Sequence, residues 1–305
     1  MGLDTGRFSG HQSFTLRNTW LTKGVLHCAE NPHIFSEPDA LVTLGVGKNM
    51  VDAIRHWCLA TRVLEDVPGE RGLYQPTTIG RRLFVDRGGW DRYLEDAGTL
   101  WLLHWLLATH AAYATTIYYA FNDLNAPEFT RESLEKEIGQ LAAGIGARAT
   151  PNSIRRDVNV FIRSYLGGPD RANSSVEDVL DCPLAELGLL YEEPVGHIYS
   201  LARGARESLP DEVVLYAVWE YAQNRAGQRT FTFDELAYRP YSPGRVFKLD
   251  DLTLAERLEG LVDLTHGAWQ FTETAGYRQL LVTAQVDPYQ ALDAHYLIED
   301  SYVRA

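Results

Sequence analysis

The stretch Gly45-Val46-Gly47-Lys48-Asn49-Met50-Val51-Asp52-Ala53-Ile54-Arg55-His56-Trp57 decides the fold of the N-terminal part of this chain. Its apolar residues recur at the spacing of a helix that buries one face. We therefore predict a helix over Lys48 to Ala60 and, before the glycine turn, a shorter helix over Pro38 to Leu44. Two helices joined by a glycine-containing turn form a helix-turn-helix, whose second helix enters the DNA major groove.

The residues that follow this pair of helices have the pattern of a β-hairpin. Arg62 to Glu65 is typical of a strand, Val67 to Gly72 of a turn, and Leu73 to Pro76 of the returning strand. A hairpin directly after two helices occupies the position of the wing in a winged helix. The sequence therefore predicts a mainly α, multi-domain protein of winged-helix or helix-turn-helix architecture with small β-hairpin wings.

Pattern and composition divide the chain into three regions. We predict an N-terminal motif segment plus winged-helix domain over residues 1–92, a central helical region with a second helix-turn-helix over 93–170, and an acidic, winged-helix-like α+β domain over 171–305. The last boundary follows from Gly167 to Ser175, which has the composition of a linker.

Two further patterns predict particular elements. Residues from Thr99 to Phe121 are apolar on nearly every side, which is typical of one continuous buried helix. Val262 to Phe271, with His266-Gly267 in its middle, has the pattern of a hairpin. The helix would connect the N-terminal domain to the central region, and the hairpin would be the C-terminal wing.

The composition excludes several classes of protein. With 305 residues and 45% hydrophobic content, the chain can bury a large core, but no run reaches the roughly 18 apolar residues of a membrane span. No signal peptide is evident at the start. Three cysteines, Cys28, Cys58 and Cys182, are too few and too scattered for a disulfide framework or a zinc cluster. We expect a cytoplasmic protein without a membrane partner.

The net charge of −13 argues against a protein that coats nucleic acid without specificity. The charge is uneven, with 11 basic against 10 acidic residues in 1–92, 6 against 9 in 93–170, and 11 against 22 in 171–305. A nearly neutral N-terminal region could therefore contact DNA while the acidic C-terminal region faces solvent or a partner protein.

The segment Phe8 to Trp20, Phe-Ser-Gly-His-Gln-Ser-Phe-Thr-Leu-Arg-Asn-Thr-Trp, combines polar, reactive groups with aromatic anchors. Its apolar side chains can fix the segment to a core and so hold His11, Gln12, Arg17 and Asn18 in place. A histidine can transfer a proton near neutral pH, and an arginine can bind a phosphate with two hydrogen bonds. These groups suit a phosphodiester. The alternative is that His11 and Arg17 tie the tail to the protein body by hydrogen bonds.

Other basic and amide residues are candidates for DNA contacts. Lys48, Asn49 and Arg55 lie on the predicted second helix of the helix-turn-helix. Arg155 and Arg156 lie on the polar side of a helix predicted over Ile154 to Leu166. A solvated charged face is the alternative reading of that arginine stripe.

Known catalytic signatures are absent from the sequence. Gly45-Val46-Gly47-Lys48 fails as a phosphate-binding P-loop because Val42 and Asn49 stand where a glycine and a hydroxyl residue are needed. No zinc signature or paired nuclease carboxylate motif is present. The sequence therefore predicts no nucleotide cofactor, and any catalytic site depends on His11, Gln12, Arg17 and acids such as Asp4 or Asp52 meeting in space.

Several segments resemble the hallmark segments of a bacterial family whose genes occur beside DNA phosphorothioation genes. They are Phe8 to Phe14, Leu16-Arg17, Trp20 to Gly24, Leu44 to Val51 and Ile54 to Trp57, with weaker similarity near Ser242 to Phe247 and Trp269 to Gly276. The chain is similar to the nicking component of Ssp-type systems, in which sulfur replaces a non-bridging phosphate oxygen on one strand.

This resemblance implies DNA binding with strand nicking that supports sulfur insertion and phage defence. It also implies a cysteine desulfurase and ATP-using sulfur-transfer proteins as partners. A divalent metal, Mg²⁺ or Mn²⁺, is expected, and its ligands are not assigned. Both a monomer and a homodimer are open as the oligomeric state. Within this reading His11 is a candidate general acid or base and Arg17 stabilises charge on the phosphate. The alternatives are a non-catalytic module that recruits the sulfur-transfer machinery and a winged-helix transcription regulator.

Overall fold

The structure is a computed structural model that describes residues 5–166, 182–193, 195–274 and 276–303. Helices make up most of its regular structure, and the strands form three small antiparallel sheets. The prediction of a mainly α protein is therefore confirmed. Among the described residues, no helix combines the length and the hydrophobicity needed to cross a membrane.

The described residues form thirteen α-helices and eight strands. The helices are α1 Asn18–Glu30, α2 Ala40–Leu44, α3 Lys48–Ala60, α4 Thr78–Phe84, α5 Ala97–Ala108, α6 Thr115–Asn122, α7 Arg131–Gly144, α8 Pro151–Tyr165, α9 Asp211–Gln223, α10 Phe233–Tyr238, α11 Pro243–Val246, α12 Asp251–Leu264 and α13 Pro288–Val303. The strands are β1 Leu64–Asp66, β2 Tyr74–Pro76, β3 Glu128–Phe129, β4 Tyr191–Glu193, β5 Ile198–Ser200, β6 Thr230–Thr232, β7 Trp269–Thr274 and β8 Tyr277–Val282. Short 3-10 helices lie at Ile34–Ser36, Asp86–Gly88 and Pro183–Leu187.

By their contacts, the residues form two compact units. The first comprises residues 1–120 and 124–202, and the second comprises 121–123 and 203–305. Residues on both sides of the predicted boundary at 92 belong to the first unit. The predicted linker 167–175, with the boundary at 170, lies outside the described residues. The division into three domains therefore stays a prediction.

Helix α3 has the bounds that its apolar spacing predicted. Gly47 precedes it in an extended conformation, and Thr61 follows it, with its hydroxyl donating to the carbonyl oxygen of Trp57 at 2.7 Å. One face of α3 is buried and packs against α1. The helix therefore contributes an apolar face to the core of the first unit and leaves Lys48 and Asn49 exposed at its start.

The hairpin predicted after α3 is present. Strands β1 and β2 pair antiparallel, with Leu64 opposite Pro76. Helix α4 then packs so closely against the chain that a Cβ atom on Gly80 would lie 1.9 Å from the carbonyl oxygen of Val63. Glycine at this position therefore lets the helix follow the hairpin directly.

The apolar stretch from Thr99 to Phe121 forms two helices, α5 and α6, so the prediction of one continuous helix was wrong. The Thr109 hydroxyl donates to the carbonyl oxygen of Trp105 at 2.6 Å, and the amides of Tyr113 and Ala114 donate to the His110 carbonyl at 3.1 and 2.9 Å. These bonds close a turn between the helices. Since both helices are buried on nearly all sides, hydrophobicity carried no signal for the break.

Helices α7 and α8 each begin with a capping box. Thr130 pairs with Ser133, and Thr150 pairs with Ser153. Helix α8 starts three residues before the predicted start at Ile154 because the box and Pro151 begin it. The apolar face of α8 is buried, while Arg155 and Arg156 are exposed.

The two three-stranded sheets share one arrangement. In each, a short strand precedes two or more helices and a hairpin, and that strand pairs with the second strand of the hairpin, giving the orders β3-β5-β4 and β6-β8-β7. The predicted hairpin at Val262 to Phe271 was wrong. His266 and Gly267 have positive φ angles of 50° and 79° and end α12, because their amides bond back to Asp263 and Val262. The hairpin is β7 and β8 instead.

Candidate functional site

The N-terminal segment lies against two helices of the first unit, α3 and α8. The Ser9 amide donates to Oδ1 of Asp157 on α8 at 2.8 Å, and the Ser9 hydroxyl donates to the carbonyl oxygen of Ser153 at 3.4 Å. From α3, Nε1 of Trp57 donates to the carbonyl oxygen of Phe14 at 3.2 Å. The segment is therefore fixed in place, as its aromatic residues predicted.

His11 is held by hydrogen bonds at both ring nitrogens. The Ser13 amide donates to Nδ1 at 3.1 Å, so this nitrogen is a hydrogen-bond acceptor. Nε2 therefore carries the proton and donates to Oδ1 of Asp157 at 2.6 Å. Both side chains are buried, with 6% of each residue exposed. This pairing makes His11 a positioning group for the turn that it belongs to.

The turn around His11 contains unusual backbone geometry. Ser9, Gln12 and Ser13 have positive φ angles of 58°, 51° and 70°, a left-handed conformation that costs a non-glycine residue about 1–2 kcal/mol. Such conformations persist where surrounding contacts impose them, and they cluster at functional sites. Gln12 is exposed at the outside of this turn.

A histidine on α3, His56, lies beside His11. The two ring centroids are 5.7 Å apart, and Gly10 approaches so closely that a Cβ atom there would lie 2.3 Å from Nδ1 of His56. Burial is the main cause that holds the pKa of His56 well below its ordinary value, and the neighbouring His11, Arg7 and Arg55 lower it further. His56 is therefore a neutral imidazole at neutral pH.

A small cavity borders this part of the first unit. Its lining includes Arg7, His56, Trp57, Thr116 and Asp157. Its volume of about 20 Å³ accommodates one water-sized group. The cavity connects the N-terminal segment with helices α3, α6 and α8.

Arg17 has a different environment from His11. Its guanidinium carbon lies 5.3 Å from the ring centroid of Trp20 and 5.9 Å from that of Phe14, in the range of a cation–π contact. The side chain is half-buried just before α1. The structure thus brings His11 to α8 and Arg17 to the aromatic anchors of the same segment.

The residues predicted to bind nucleic acid lie in the first unit. Asn18, Lys48 and Asn49 are exposed at the starts of α1 and α3. Arg55 is half-buried and forms an ion pair with Asp52 at 2.9 Å. Asp52, one of the two acids considered for a catalytic site, is therefore paired with Arg55. The other acid, Asp4, lies outside the described residues.

On α8, the two arginines are exposed but have local contacts. Arg155 lies 3.7 Å from a carboxylate oxygen of Glu135. Nε of Arg156 donates to the carbonyl oxygen of Asn152 at 3.4 Å. Exposed ion pairs of this kind contribute little to stability and leave the charge accessible.

Sequence reasoning missed Asp157, His56 and Thr116. A signal existed for Asp157, since it is an acidic residue on the apolar side of α8, between Ile154 and Phe161 at helical spacing. A buried carboxylate needs a partner, so its position indicates a hydrogen-bond donor from elsewhere in the chain. Nothing local identified His11 as that donor.

A metal centre is not evident in the part of the chain that the structure describes. Within it, no group of three or more His, Cys, Asp or Glu side chains is arranged to hold a metal ion. The expected divalent metal therefore has no ligand set among these residues.

Comparisons with known proteins place the chain in a family. The family described as "Protein of unknown function (DUF4007)" matches residues 8–296, and no curated protein matches the chain. Two solved structures, titled "SspB crystal structure" and "Magnesium ion-bound SspB crystal structure", each have 31% sequence identity and a TM-score of 0.85, over 96% of this chain and 89% of theirs. The resemblance predicted from the sequence segments is confirmed, and the chain belongs to the DUF4007 family and is SspB-like in structure.

Proposed function

We propose that this protein binds DNA and nicks one strand in support of DNA phosphorothioation. One observation carries the proposal, namely the structural similarity to SspB over 96% of the chain at a TM-score of 0.85. The first of the segments that resemble the nicking component of Ssp-type systems is bonded to α8 and α3 in the first unit. The cysteine desulfurase and ATP-using proteins of such systems are the partners that we propose.

The proposed DNA-binding elements are winged-helix units of the first unit. Helices α2 and α3 with the β1–β2 hairpin form one, and α7 and α8 with sheet β3-β5-β4 form another. Lys48 and Asn49 at the start of α3, and Arg155 and Arg156 on α8, are exposed. Lysine and arginine on such helices neutralise DNA phosphates, and a helix N-terminus favours a phosphate.

In the proposed nicking site, the turn from Ser9 to Ser13 and the neighbouring Arg17 contact the DNA backbone. Arg17 neutralises charge that develops on the phosphate. Gln12 is exposed and can contact the same backbone. Since both nitrogens of His11 are bonded within the protein, His11 contributes by holding the turn against α8.

A divalent metal remains part of the proposal because one similar solved structure is magnesium-bound. The described residues do not form a metal-binding cluster, so no step of the reaction is assigned to the metal. The nicking assay is therefore performed with Mg²⁺, with Mn²⁺ and with a chelator.

A second function, a non-catalytic DNA-binding module that recruits the sulfur-transfer machinery, is favoured by a different observation. His11 has no free nitrogen, and the described residues include no metal-ligand cluster. In that function, the N-terminal segment would be a binding surface, and DNA would stay intact.

One experiment separates the two functions. Supercoiled plasmid is incubated with the wild type, His11→Ala and Arg17→Ala, with Arg148→Ala, an exposed arginine outside the segment, as the matched control. The proposal predicts open-circle product with wild type and control, and a loss of about 100-fold or more for Arg17→Ala. His11→Ala should lose activity through disorder of the turn.

DNA affinity, measured for each variant by fluorescence anisotropy, decides how a loss is interpreted. Wild type that binds DNA without nicking it at any metal concentration would exclude the nickase and leave the recruiting module.

A further inference from the structure

A pocket lies in the second unit, between the end of α9 and the ends of β7 and β8. Its volume is about 290 Å³, close to the lower end of the range of about 300–1,000 Å³ that is usual for small-molecule sites. Its walls include the loop after α9 and the end of β8, which are joined because the Val282 amide donates to the carbonyl oxygen of Arg229 at 2.8 Å. All of its lining residues belong to the second unit.

The charge of the pocket is opposite to that of the region around it. Residues 171–305 contain 22 acidic against 11 basic residues. The described residues that line the pocket nevertheless include Arg225 and Arg229 and no aspartate or glutamate. An acid that contacts this lining, Glu235, is already used, since it accepts from Nε2 of Gln228 at 3.4 Å and caps the start of α10. The pocket therefore favours an anion.

The two arginines are available to such an anion. The guanidinium carbon of Arg225 lies 3.5 Å from the ring centroid of Tyr221, and Nη1 donates to the Tyr221 carbonyl oxygen at 3.2 Å. This bond uses one of five N–H donors. Arg229 is exposed, and in the described part of the chain its guanidinium has no hydrogen-bond or ion-pair partner. Guanidinium groups of this kind suit a phosphate, which accepts two parallel hydrogen bonds.

Other lining residues suit a planar ring with a polar edge. Trp219 is half-buried and lines the pocket, and nucleobases stack on aromatic rings. Nε2 of Gln223 donates to Oε1 of Gln285 at 3.1 Å. The remaining amide atoms of this pair, one acceptor and one donor, have no partner among the described residues. A donor beside an acceptor matches the edge of a nucleobase.

A buried indole nitrogen is a further indication of a bound molecule. Trp269 is 1% exposed and is the most buried residue of the lining. Its Nε1 forms no hydrogen bond in the described part of the chain. Buried donors are almost always satisfied by protein, water or ligand.

We propose that this pocket binds a nucleotide. Arg225 and Arg229 bind its phosphate. Its base lies against Trp219, with the polar edge at the amides of Gln223 and Gln285. The sequence predicted no nucleotide because the P-loop pattern fails, whereas this pocket uses side chains from another part of the chain. The nucleotide is either free or a unit of single-stranded DNA, since both carry the same phosphate and base.

Isothermal titration calorimetry of the full chain with deoxyadenosine monophosphate (dAMP) tests the proposal. The variants are Arg229→Ala and Ala226→Phe, which fills the pocket at an exposed lining position. The matched control is Arg239→Ala, because Arg239 is an exposed arginine of the same unit outside the lining. Wild type and control should bind dAMP with a Kd of about 1 mM or below. Each pocket variant should bind it about tenfold or more weakly, with an unchanged melting temperature.

Three further ligands identify which parts of the nucleotide are recognised. Deoxyadenosine lacks the phosphate and inorganic phosphate lacks the base, so each should bind about tenfold or more weakly than dAMP. A 5′-phosphorylated single-stranded oligo(dA) distinguishes the two sources. Binding tighter than dAMP that is lost in Arg229→Ala identifies single-stranded DNA, and equal or weaker binding identifies a free nucleotide. Both results support the proposal.

Three results would overturn the proposal. They are no binding of dAMP to wild type up to about 10 mM, equal dAMP affinity in wild type and Arg229→Ala, and binding of inorganic phosphate as tight as that of dAMP. Plasmid nicking by the same preparations is measured in parallel. Because the pocket lies outside the proposed nicking site, loss of either activity leaves the other to be judged separately.

Discussion

At the residue scale, one buried carboxylate organises the N-terminal turn. Oδ1 of Asp157 accepts the Ser9 amide at 2.8 Å and Nε2 of His11 at 2.6 Å. These two contacts join residues 148 and 146 positions apart in the chain. They hold three residues with left-handed backbone in place. Removal of this carboxylate should therefore weaken the attachment of the turn to α8.

Replacing Asp157 with Ala should lower the free energy of unfolding by about 2–4 kcal/mol, because the buried His11 ring and the partly buried Ser9 amide lose their acceptor. Urea denaturation followed by tryptophan fluorescence measures the change. The control is Asp86→Ala, which removes a half-exposed ion pair with Arg81 and should cost less than about 0.5 kcal/mol. Equal effects of the two substitutions would contradict the role of Asp157.

A second buried ionisable residue, Lys248, lies in the second unit. It is 6% exposed, and Nζ donates to the carbonyl oxygen of Phe121 at 3.3 Å. Burial, with the charges of Arg245, Arg203 and Arg206 adding to it, lowers the pKa of Lys248 to about 7. The folded protein therefore contains a lysine that loses its proton near neutral pH.

The pH dependence of stability should report this lysine. Between about pH 7 and 10.5 the unfolded chain binds the proton that the folded protein has lost, so the free energy of unfolding rises with pH in this range. Lys248→Met should reduce the rise by about 1 kcal/mol per pH unit. Urea denaturation of both proteins at pH 7.5, 8.5 and 9.5 measures it, and identical slopes would mean that Lys248 is charged in the folded state.

At the scale of elements, α8 and α12 occupy the same place in two similar arrangements but differ in charge. Among the residues that the structure describes, each is the last α-helix before the hairpin of a three-stranded sheet. The exposed residues of α8 include Arg155, Arg156 and Arg163, whereas those of α12 include Asp251, Glu256, Glu259 and Asp263. DNA binding therefore belongs to the first unit in this account, and the acidic α12 does not contribute to it.

Charge reversal at Lys48, Arg55, Arg155 or Arg156 should weaken DNA affinity and flatten its salt dependence. Each phosphate contact that is lost reduces the slope of log K against log salt by about 0.9. Fluorescence anisotropy titrations from low to moderate salt measure the slope. Arg229→Glu, an exposed arginine of the second unit, is the control. Slopes equal to the wild type in all four variants would exclude this DNA-binding face.

The sequence predicted the bounds of a helix correctly where particular residues mark its ends. Lys48–Ala60 follows a glycine turn and has an apolar stripe, and its bounds were predicted correctly. The break between α5 and α6 was missed because both helices are apolar throughout. His266-Gly267 was taken for a hairpin turn because a glycine after a histidine suits either a turn or the end of a helix.

The candidate site was predicted only in part for a different reason. The segment around His11 and Arg17 was identified from its own residues, but the partners of His11 come from α3 and α8 and depend on tertiary packing. No local pattern distinguishes His11, whose nitrogens are both bonded, from His56, whose Nδ1 is unpaired.

At the scale of the whole molecule, the acidic charge and the candidate DNA-binding residues lie in different parts of the chain. The chain carries a net charge of −13, most of which lies in residues 171–305. The DNA-binding candidates all lie before that region, and the family match extends over residues 8–296. An acidic surface suits contact with other proteins more than with DNA, which is consistent with recruitment of sulfur-transfer partners.

The most direct test of the central claim, DNA binding with single-strand nicking, is a time course of supercoiled plasmid with the wild-type chain in Mg²⁺, resolved into supercoiled, open-circle and linear forms. The account predicts that open-circle DNA accumulates in proportion to protein concentration while linear DNA stays absent. Plasmid that is bound but remains supercoiled throughout, or that becomes linear at once, would contradict it.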